Sequence, residues 1–186
     1  SDPAWIGQRV VGTINLSPDC EGGCGRRCPE HCPKRRVLGI VNKDGAFAQA
    51  LTLPVANLLR VPDGIPDDRA VFTEPLAAAL RITEEVDVTG RDAVVIGAGR
   101  LGLLVAQALR ARGAEVTVLG RSAASLSLAK ELGFTTIPAS SDPTDLPRSS
   151  LIVEGTANED GLRLAVDLCE PQGTIVLKST YADRPD

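Results

Sequence analysis

Aromatic residues make up only 3% of this 186-residue chain, histidine occurs once, and methionine is absent. So few aromatic rings leave no set of stacking platforms for single-stranded nucleic acid. An excess of positive charge is also lacking, because 24 acidic and 20 basic residues give a net charge of -4. The sequence therefore predicts no general attraction to nucleic acid or to anionic membrane surfaces.

Long apolar runs are lacking as well. Glycine or charged residues interrupt each run well before about 18 positions, which predicts no transmembrane helix. The first residues, SDPAWIGQRVVG, do not form a basic segment followed by an apolar one, so no secretory signal is indicated. We expect a cytoplasmic globular protein with one or two small domains.

The most informative segment that is present runs from Asp92 to Arg121. An apolar run enters a glycine-rich turn with the spacing G-x-G-x-x-G, a helical pattern follows, and a second apolar run ends near Leu119. This strand–turn–helix–strand order predicts a dinucleotide site, with the pyrophosphate at the helix N-terminus. Gly97 allows the tight turn, Gly99 allows close approach of the pyrophosphate, and Gly102 allows helix and strand to pack closely. The turn residues predicted to contact the cofactor are Gly97, Gly99, Arg100, Leu101 and Gly102.

The end of the second apolar run indicates which dinucleotide binds. Sites for NAD usually place Asp or Glu here to bond the ribose hydroxyls, whereas this chain has Gly120, Arg121 and Ser122. No carboxylate repels a 2′-phosphate, Gly120 leaves room for it, and Arg121 offers a bidentate cation. We therefore predict that the site binds NADP(H). The alternative is that Arg121 is an ordinary solvated arginine after a strand.

Hydropathy patterns divide the chain into two parts. Residues 1–78 look rich in strands and loops, with strands expected at Arg9–Leu16, Arg36–Val41 and Ala48–Pro54. Helical character begins near Asp67 and continues through Ala70–Thr83. The later part alternates strands with helices, which predicts an α/β fold with a doubly wound parallel sheet. Its expected strands are 93–97, 115–119, 135–138, 150–154 and 173–177, and its expected helices are 100–112, 123–132 and 159–169.

Four of the five cysteines, Cys20, Cys24, Cys28 and Cys32, are spaced every four residues. A straight helix would separate the outer two by about 18 Å, too far for thiolates that each lie about 2.3 Å from one zinc ion. The intervening glycines and prolines favour a curled loop instead. The segment predicts a closed structural zinc site, with disulfides or free thiols as alternatives. His31 could replace a cysteine ligand, although a solvent-facing histidine is commoner, and Cys169 is expected in the core on the last helix.

The order of these motifs resembles the medium-chain dehydrogenase/reductase family, the zinc-dependent alcohol dehydrogenase-like proteins. The resemblance rests on the cysteine loop, on VFTEPLAAAL, VVIGAGRLG and AKELG, and on the late GTIVLKSTY. It implies a partial, β-rich GroES-like catalytic domain over 1–78 and an incomplete NADP-binding Rossmann domain over 79–186. It also implies a homodimer or tetramer and a small alcohol or carbonyl substrate. The cysteine loop departs from the family, which usually leaves two, two and seven residues between these cysteines.

The resemblance also implies site residues. Glu74, in the EPL segment, takes the position at the catalytic zinc in the sorbitol- and glucose-dehydrogenase-like branches; alternatively it is an exposed carboxylate at a helix N-terminus. Gly155, Thr156 and Lys178 follow the fourth and fifth strands, where the family lines the nicotinamide half of the cofactor. The family's other catalytic zinc ligands, a Cys and a Gly-His-Glu motif, have no counterpart here, so we expect segments to be missing at both ends.

Three classes of function remain open from the sequence. The leading one is an oxidoreductase that transfers a hydride between NADP(H) and an alcohol or carbonyl, with zinc assisting in the longer parent protein. The second is a dinucleotide-binding sensor or scaffold without turnover. The third is a zinc-ribbon nucleic-acid module, which the acidic charge and the Rossmann unit disfavour.

Overall fold

A computed structural model of the chain describes residues 3–16 and 32–179. The chain divides into two compact units, Ser1–Glu74 and Pro75–Asp186. Among the described residues, no helix has both the length and the apolar character that a membrane span requires.

The first unit contains only short strands. β1 (Val10–Gly12) pairs antiparallel with β4 (Leu58–Arg60), and β2 (Asn15–Leu16) pairs antiparallel with β3 (Arg36–Val37). Short 3-10 turns cover Pro3–Trp5 and Val55–Asn57, and the helix α1 covers Asp67–Ala70. A buried amide holds these pieces together, because Nδ2 of Asn57 donates to Oγ1 of Thr13 at 2.7 Å and to the carbonyl of Asn15 at 2.8 Å.

The expected strands of this unit are confirmed only in part, and Arg9–Leu16 forms the two short strands β1 and β2 with a break at Thr13 and Ile14. Ala48–Pro54 forms no strand, and Leu51 is 44% exposed, so this segment has neither a neighbouring strand nor a buried face. Only the first two residues of Arg36–Val41 form a strand, because the chain turns back at once and Val37 pairs with Val41. Gly39 enables this reversal with a φ of 71°, a value that glycine adopts without strain.

The second unit is a parallel sheet with helices on both faces. Its five strands lie in the order β7-β6-β5-β8-β9, and all four pairings are parallel. The doubly wound sheet predicted from the sequence is therefore confirmed. The strands are β5 (Asp92–Ile96), β6 (Glu115–Gly120), β7 (Thr135–Pro138), β8 (Ser149–Glu154) and β9 (Cys169–Leu177), and the helices are α2 (Thr73–Glu85), α3 (Arg100–Ala111), α4 (Ala123–Glu131) and α5 (Glu159–Leu168); a 3-10 turn covers Pro143–Asp145.

The core of this unit lies on both faces of the sheet. In β5, Ala93 and Val95 face a cluster that includes residues of α2, α3 and α4, whereas Val94 and Ile96 face a cluster with α5. This alternation follows from the two-residue period of a strand. All four side chains are nearly fully buried, and burying a valine or isoleucine stabilises the fold by about 1.5–3 kcal/mol. β5 is therefore the buried central strand of the sheet.

The last helix ends one residue earlier than expected, and the last strand begins at residue 169 instead of 173. α5 ends at Leu168 because Cys169 adopts an extended backbone with ψ of 130°, so this cysteine begins β9 instead of ending the helix. It is half-buried and packs against the cluster on the α5 face. The register between β8 and β9 is irregular between Ser149 and Leu151, and Gln172 has a φ of 64° within the resulting bulge.

Candidate functional site

The glycine-rich turn joins the central strand β5 to α3. Gly97 has a φ of 110°, and its N–H donates to the carbonyl of Leu119 on β6 at 2.8 Å. A Cβ added to Gly102 would overlap the carbonyl oxygen of Gly97, so no larger residue fits where α3 leaves the turn. Gly99 is the N-cap of α3, makes no side-chain cap, and has open space where its Cβ would stand. The turn therefore leaves the N-terminus of α3 accessible to an anion.

A cavity of about 320 Å³ lies at this turn. It is formed by the carboxyl ends of β5, β6 and β8, the edge at which open parallel sheets bind their ligands. The cavity adjoins both the turn and the start of α4. Its lining residues are Ile96, Gly97, Ala98, Gly99, Leu119, Gly120, Arg121, Ser122, Ser125, Ala139, Gly155 and Thr156.

Arg121 is the one charged residue among the described residues that line this cavity. Its side chain is exposed, and no salt bridge within the described part of the chain involves it. Ser122 follows as the N-cap of α4: its Oγ accepts from the N–H of Ser125 at 3.2 Å and donates to the Ser125 hydroxyl at 2.8 Å. The Ser125 hydroxyl donates in turn to the Ser122 carbonyl at 2.9 Å, so the cavity is lined by one cation and by two hydroxyl groups that hydrogen-bond within the cap.

The structure indicates a different reason for a glycine at position 120 from the one that the sequence suggested. A Cβ at this position would lie 2.9 Å from Cβ of Ala98 and 2.9 Å from Cδ2 of Leu126. Glycine is therefore required here because the turn and α4 pack closely against the end of β6. The contact of Gly120 with a 2′-phosphate stays a prediction.

A second cavity, of about 390 Å³, adjoins the first and shares Ile96, Arg121, Ala139 and Thr156 with it. Residues of α5 line this cavity and add the charged side chains of Asp160, Arg163 and Asp167 to that of Arg121. The sequence analysis did not identify these three residues, because they lie some forty positions after Arg121 along the chain. The N-cap role of Asn158, whose side chain accepts from the N–H of Gly161 at 2.9 Å, was the available signal for where α5 begins. The residues that only this cavity contains are Ser140, Asn158, Asp160, Gly161, Arg163, Leu164 and Asp167.

The remaining predicted cofactor residues lie around these cavities. Gly155 and Thr156 follow β8, and the N–H of Gly155 donates to the carbonyl of Ile96 at 2.9 Å. Lys178 follows β9, and its N–H donates to the carbonyl of Glu154 at 2.9 Å. Arg100 and Leu101 begin α3. In the part of the chain that the structure describes, the linings of the two cavities include neither these two residues, nor Gly102, nor Lys178.

The predicted zinc residues are placed only in part. Cys20, Cys24, Cys28 and His31 lie outside the described residues, whereas Cys32 is buried. Glu74 is exposed in the first turn of α2, as expected for a carboxylate at a helix N-terminus. Residues 3–16 and 32–179 contain no group of three or more His, Cys, Asp or Glu side chains placed to hold a metal ion. The zinc assignments thus rest on the sequence.

Comparison with known proteins gives consistent matches. Residues 77–171, about half of the chain, match the family model for shikimate/quinate 5-dehydrogenase. An L-threonine 3-dehydrogenase from Chelativorans sp. (strain BNC1) is 34% identical over 160 residues, which cover 81% of this chain and 44% of that protein. The chain thus spans less than half the length of this curated relative.

Solved structures share the fold. An alcohol dehydrogenase from Escherichia coli CFT073 complexed with NADH has a TM-score of 0.84 and 28% identity, covering 100% of this chain and 58% of that one. A candidate zinc-binding dehydrogenase from Sinorhizobium meliloti 1021 bound to NADP has a TM-score of 0.85 and 24% identity, covering 94% of this chain and 55% of that one. Residues 77–171 therefore belong to the Rossmann domains that the shikimate/quinate 5-dehydrogenase model describes, and the chain as a whole belongs to the medium-chain dehydrogenase/reductase family.

Proposed function

We propose that the 320 Å³ cavity binds NADP(H), with the pyrophosphate at the N-terminus of α3. The open space at Gly99 supports this assignment, since a phosphate could approach the backbone there without meeting a side chain. The first N–H groups of α3 have no partner within the helix and point toward such a ligand. In this binding mode, Gly97 and Gly99 contact the pyrophosphate, Arg100 and Leu101 supply N–H groups of the first turn of α3, and Gly102 lets that turn start close to Gly97.

The choice of NADP(H) over NAD(H) depends on one observation. Among the described residues that line this cavity, Arg121 is the one ion and no carboxylate is present. A 2′-phosphate would therefore meet a guanidinium, with the hydroxyls of Ser122 and Ser125 near it, and no repelling charge in the same cavity. Asp160 and Asp167 line the adjoining cavity, and Arg163 on the same helix offsets one of their two negative charges.

We further propose that the whole protein transfers a hydride between NADP(H) and a small alcohol or carbonyl compound, the hydride being supplied or accepted by the nicotinamide when the cofactor is bound. Gly155, Thr156 and Lys178 would adjoin the cofactor at the ends of β8 and β9. Residues 79–186 would form the NADP-binding domain, and residues 1–78 would be part of the catalytic domain. In that domain Cys20, Cys24, Cys28 and Cys32 would hold a structural zinc, and Glu74 would stand at the catalytic-zinc position.

Calorimetric titration with NADPH and NADH tests the cofactor assignment. Arg121→Ala should weaken NADPH binding by about 2 kcal/mol, roughly 30-fold, because a charge-assisted contact is lost, and should leave NADH binding nearly unchanged. Arg112→Ala is the matched control, since this arginine caps the far end of α3. Wild-type protein that binds NADH at least as tightly as NADPH would refute the assignment.

The catalytic proposal is tested in a protein that has the full length of the relatives. L-threonine is the first substrate to assay, because a relative with 34% identity is named for it. Glu74→Ala should lower zinc occupancy or turnover there, whereas Glu84→Ala, near the other end of the same helix, should change neither. Cofactor binding without any alcohol oxidation across a panel of small alcohols would favour a sensor or scaffold instead.

A further inference from the structure

Glu154 is the one charged residue among those described that is fully buried. It ends β8 and pairs in register with Ile96, which immediately precedes the glycine-rich turn. Burying a carboxyl group is costly unless it is hydrogen-bonded, so its partners should reveal what it does. The position lies where the order of the strands reverses between β5 and β8.

Two hydrogen bonds to Glu154 come from the loop that follows it. Its Oε1 accepts from the N–H of Thr156 at 2.5 Å and from the Thr156 hydroxyl at 2.5 Å. Both bonds reach the same residue, so they fix the backbone of Thr156 and the rotamer of its side chain together. Thr156 in turn lines both cavities.

The surroundings of Thr156 show which way its side chain is turned. A Cβ added to Gly161 of α5 would overlap Oγ1 of Thr156 and would lie 2.9 Å from Oε1 of Glu154, so the hydroxyl is packed between the carboxyl group and the start of α5. A Cβ added to Gly97 would lie 3.2 Å from the Thr156 methyl carbon. The hydroxyl is therefore turned inward, and the methyl group faces the glycine-rich turn.

We propose that Glu154 is a positioning residue that holds the Thr156 hydroxyl inward and thereby presents the Thr156 methyl group as the wall shared by the two cavities. This rests on the proposed function for the identity of the ligand, since the wall would face a bound dinucleotide. Glu154 is not among the described residues that line either cavity, so the proposed role requires no contact between its carboxyl group and the ligand. Its effect on binding passes through Thr156, and the small size of Gly161 is what leaves space for the inward hydroxyl.

The orientation of Thr156 is measured first, without ligand, by NMR of the methyl-labelled protein. Wild type should show a nuclear Overhauser effect between the Thr156 methyl and Gly97 Hα, and Glu154→Gln should retain it because an acceptor oxygen remains. Glu154→Leu should weaken it at least twofold. Gly161→Ala should do the same while keeping the buried carboxyl intact, which provides the test if Glu154→Leu does not fold. An unchanged effect in Gly161→Ala, and in Glu154→Leu where it folds, would overturn the proposal.

Binding of NADPH is measured next. Glu154→Leu should weaken NADPH binding about tenfold, whereas Glu154→Gln should bind NADPH within about twofold of wild type. Adding Thr156→Ser to Glu154→Leu should cause no further loss of affinity, because both changes act through one methyl group. Additive losses would overturn the proposal. Ser149→Ala is the control: this buried hydroxyl at the other end of β8 donates to the Asp92 carbonyl at 2.7 Å, so its loss should lower thermal stability alone. Wild type that binds neither NADPH nor NADH would refute the proposed function, while the NMR result would still decide the role of Glu154.

Discussion

Two glycines of the same turn should respond in opposite ways to the same added methyl group. Gly102 lies against the turn itself, and a Cβ there would overlap the carbonyl oxygen of Gly97. Gly99, three residues earlier, has a φ of −82° and no atom within 4 Å of the place where a Cβ would stand. We therefore expect Gly102→Ala to disturb folding, and Gly99→Ala to disturb dinucleotide binding alone.

The magnitudes follow from these contacts. Overpacking costs about 1–3 kcal/mol, and we expect the upper end of this range for Gly102→Ala because the clashing atom belongs to the backbone. The higher helix propensity of alanine stabilises the variant by about 1 kcal/mol. The free energy of unfolding should therefore fall by about 2 kcal/mol. At Gly99, alanine is a poorer N-cap but restricts the unfolded chain, so the free energy of unfolding should change by less than about 0.5 kcal/mol. A methyl group at the proposed pyrophosphate site should weaken NADPH binding more than about tenfold.

Urea unfolding and calorimetric titration with NADPH measure the two effects on the same samples. Gly64→Ala is the control, because it also has open space but lies in the first unit, outside both cavities. The reasoning is refuted if Gly99→Ala binds NADPH as tightly as wild type, since the pyrophosphate would then lie elsewhere. It is also refuted if Gly102→Ala unfolds at the same urea concentration as wild type.

Two further predictions concern the fold. Leu151 is fully buried in β8, whereas Leu128 on α4 is 48% exposed. In urea titrations, Leu151→Ala should lower the free energy of unfolding by about 3 kcal/mol, and Leu128→Ala should lower it by less than about 0.5 kcal/mol. Equal losses would contradict the described core. The hydroxyl and backbone N–H of Thr144 hold the pKa of Asp142 below its ordinary 3.8. This carboxyl therefore stabilises the fold above pH 3.8 and loses its contribution as the pH falls through the lowered pKa. Thr144→Val should raise the pKa of Asp142 in an NMR titration, and an unchanged pKa would contradict the contact.

The second unit was predictable from the sequence because its signals are local. Buried parallel strands such as β5 and β8 form continuous apolar runs, and the glycine spacing marks the place where the central strand turns into a helix. The parallel sheet follows from the alternation of strands and helices, because a parallel pair needs a crossover of this length. Helix α4 was also signalled locally, since Ser122 stands directly before its apolar pattern and caps it.

The first unit was harder to predict because its strands are two or three residues long. A period of two cannot be recognised over so few positions, and the pairing partners are far apart along the chain: Val10 pairs with Arg60. Ala48–Pro54 has the composition of a strand without a neighbour to pair with. Tertiary context, which the local pattern does not contain, decided these segments.

The site shows the same division between local and distant information. The chemistry of Gly97 and Arg121 can be recognised from a few adjacent residues, whereas Glu154 looks like any acidic residue at the end of a strand. Its burial becomes evident only when β8 lies beside β5 and Gly161, in the first turn of α5, lies against Thr156. The backbone of the glycine-rich turn shapes one part of the cavity, and in the proposed role the carboxyl of Glu154 positions the Thr156 methyl group beside that turn. Because the turn and Thr156 follow neighbouring strands of the same sheet, a ligand bound beside them would meet a shape that exists before it binds.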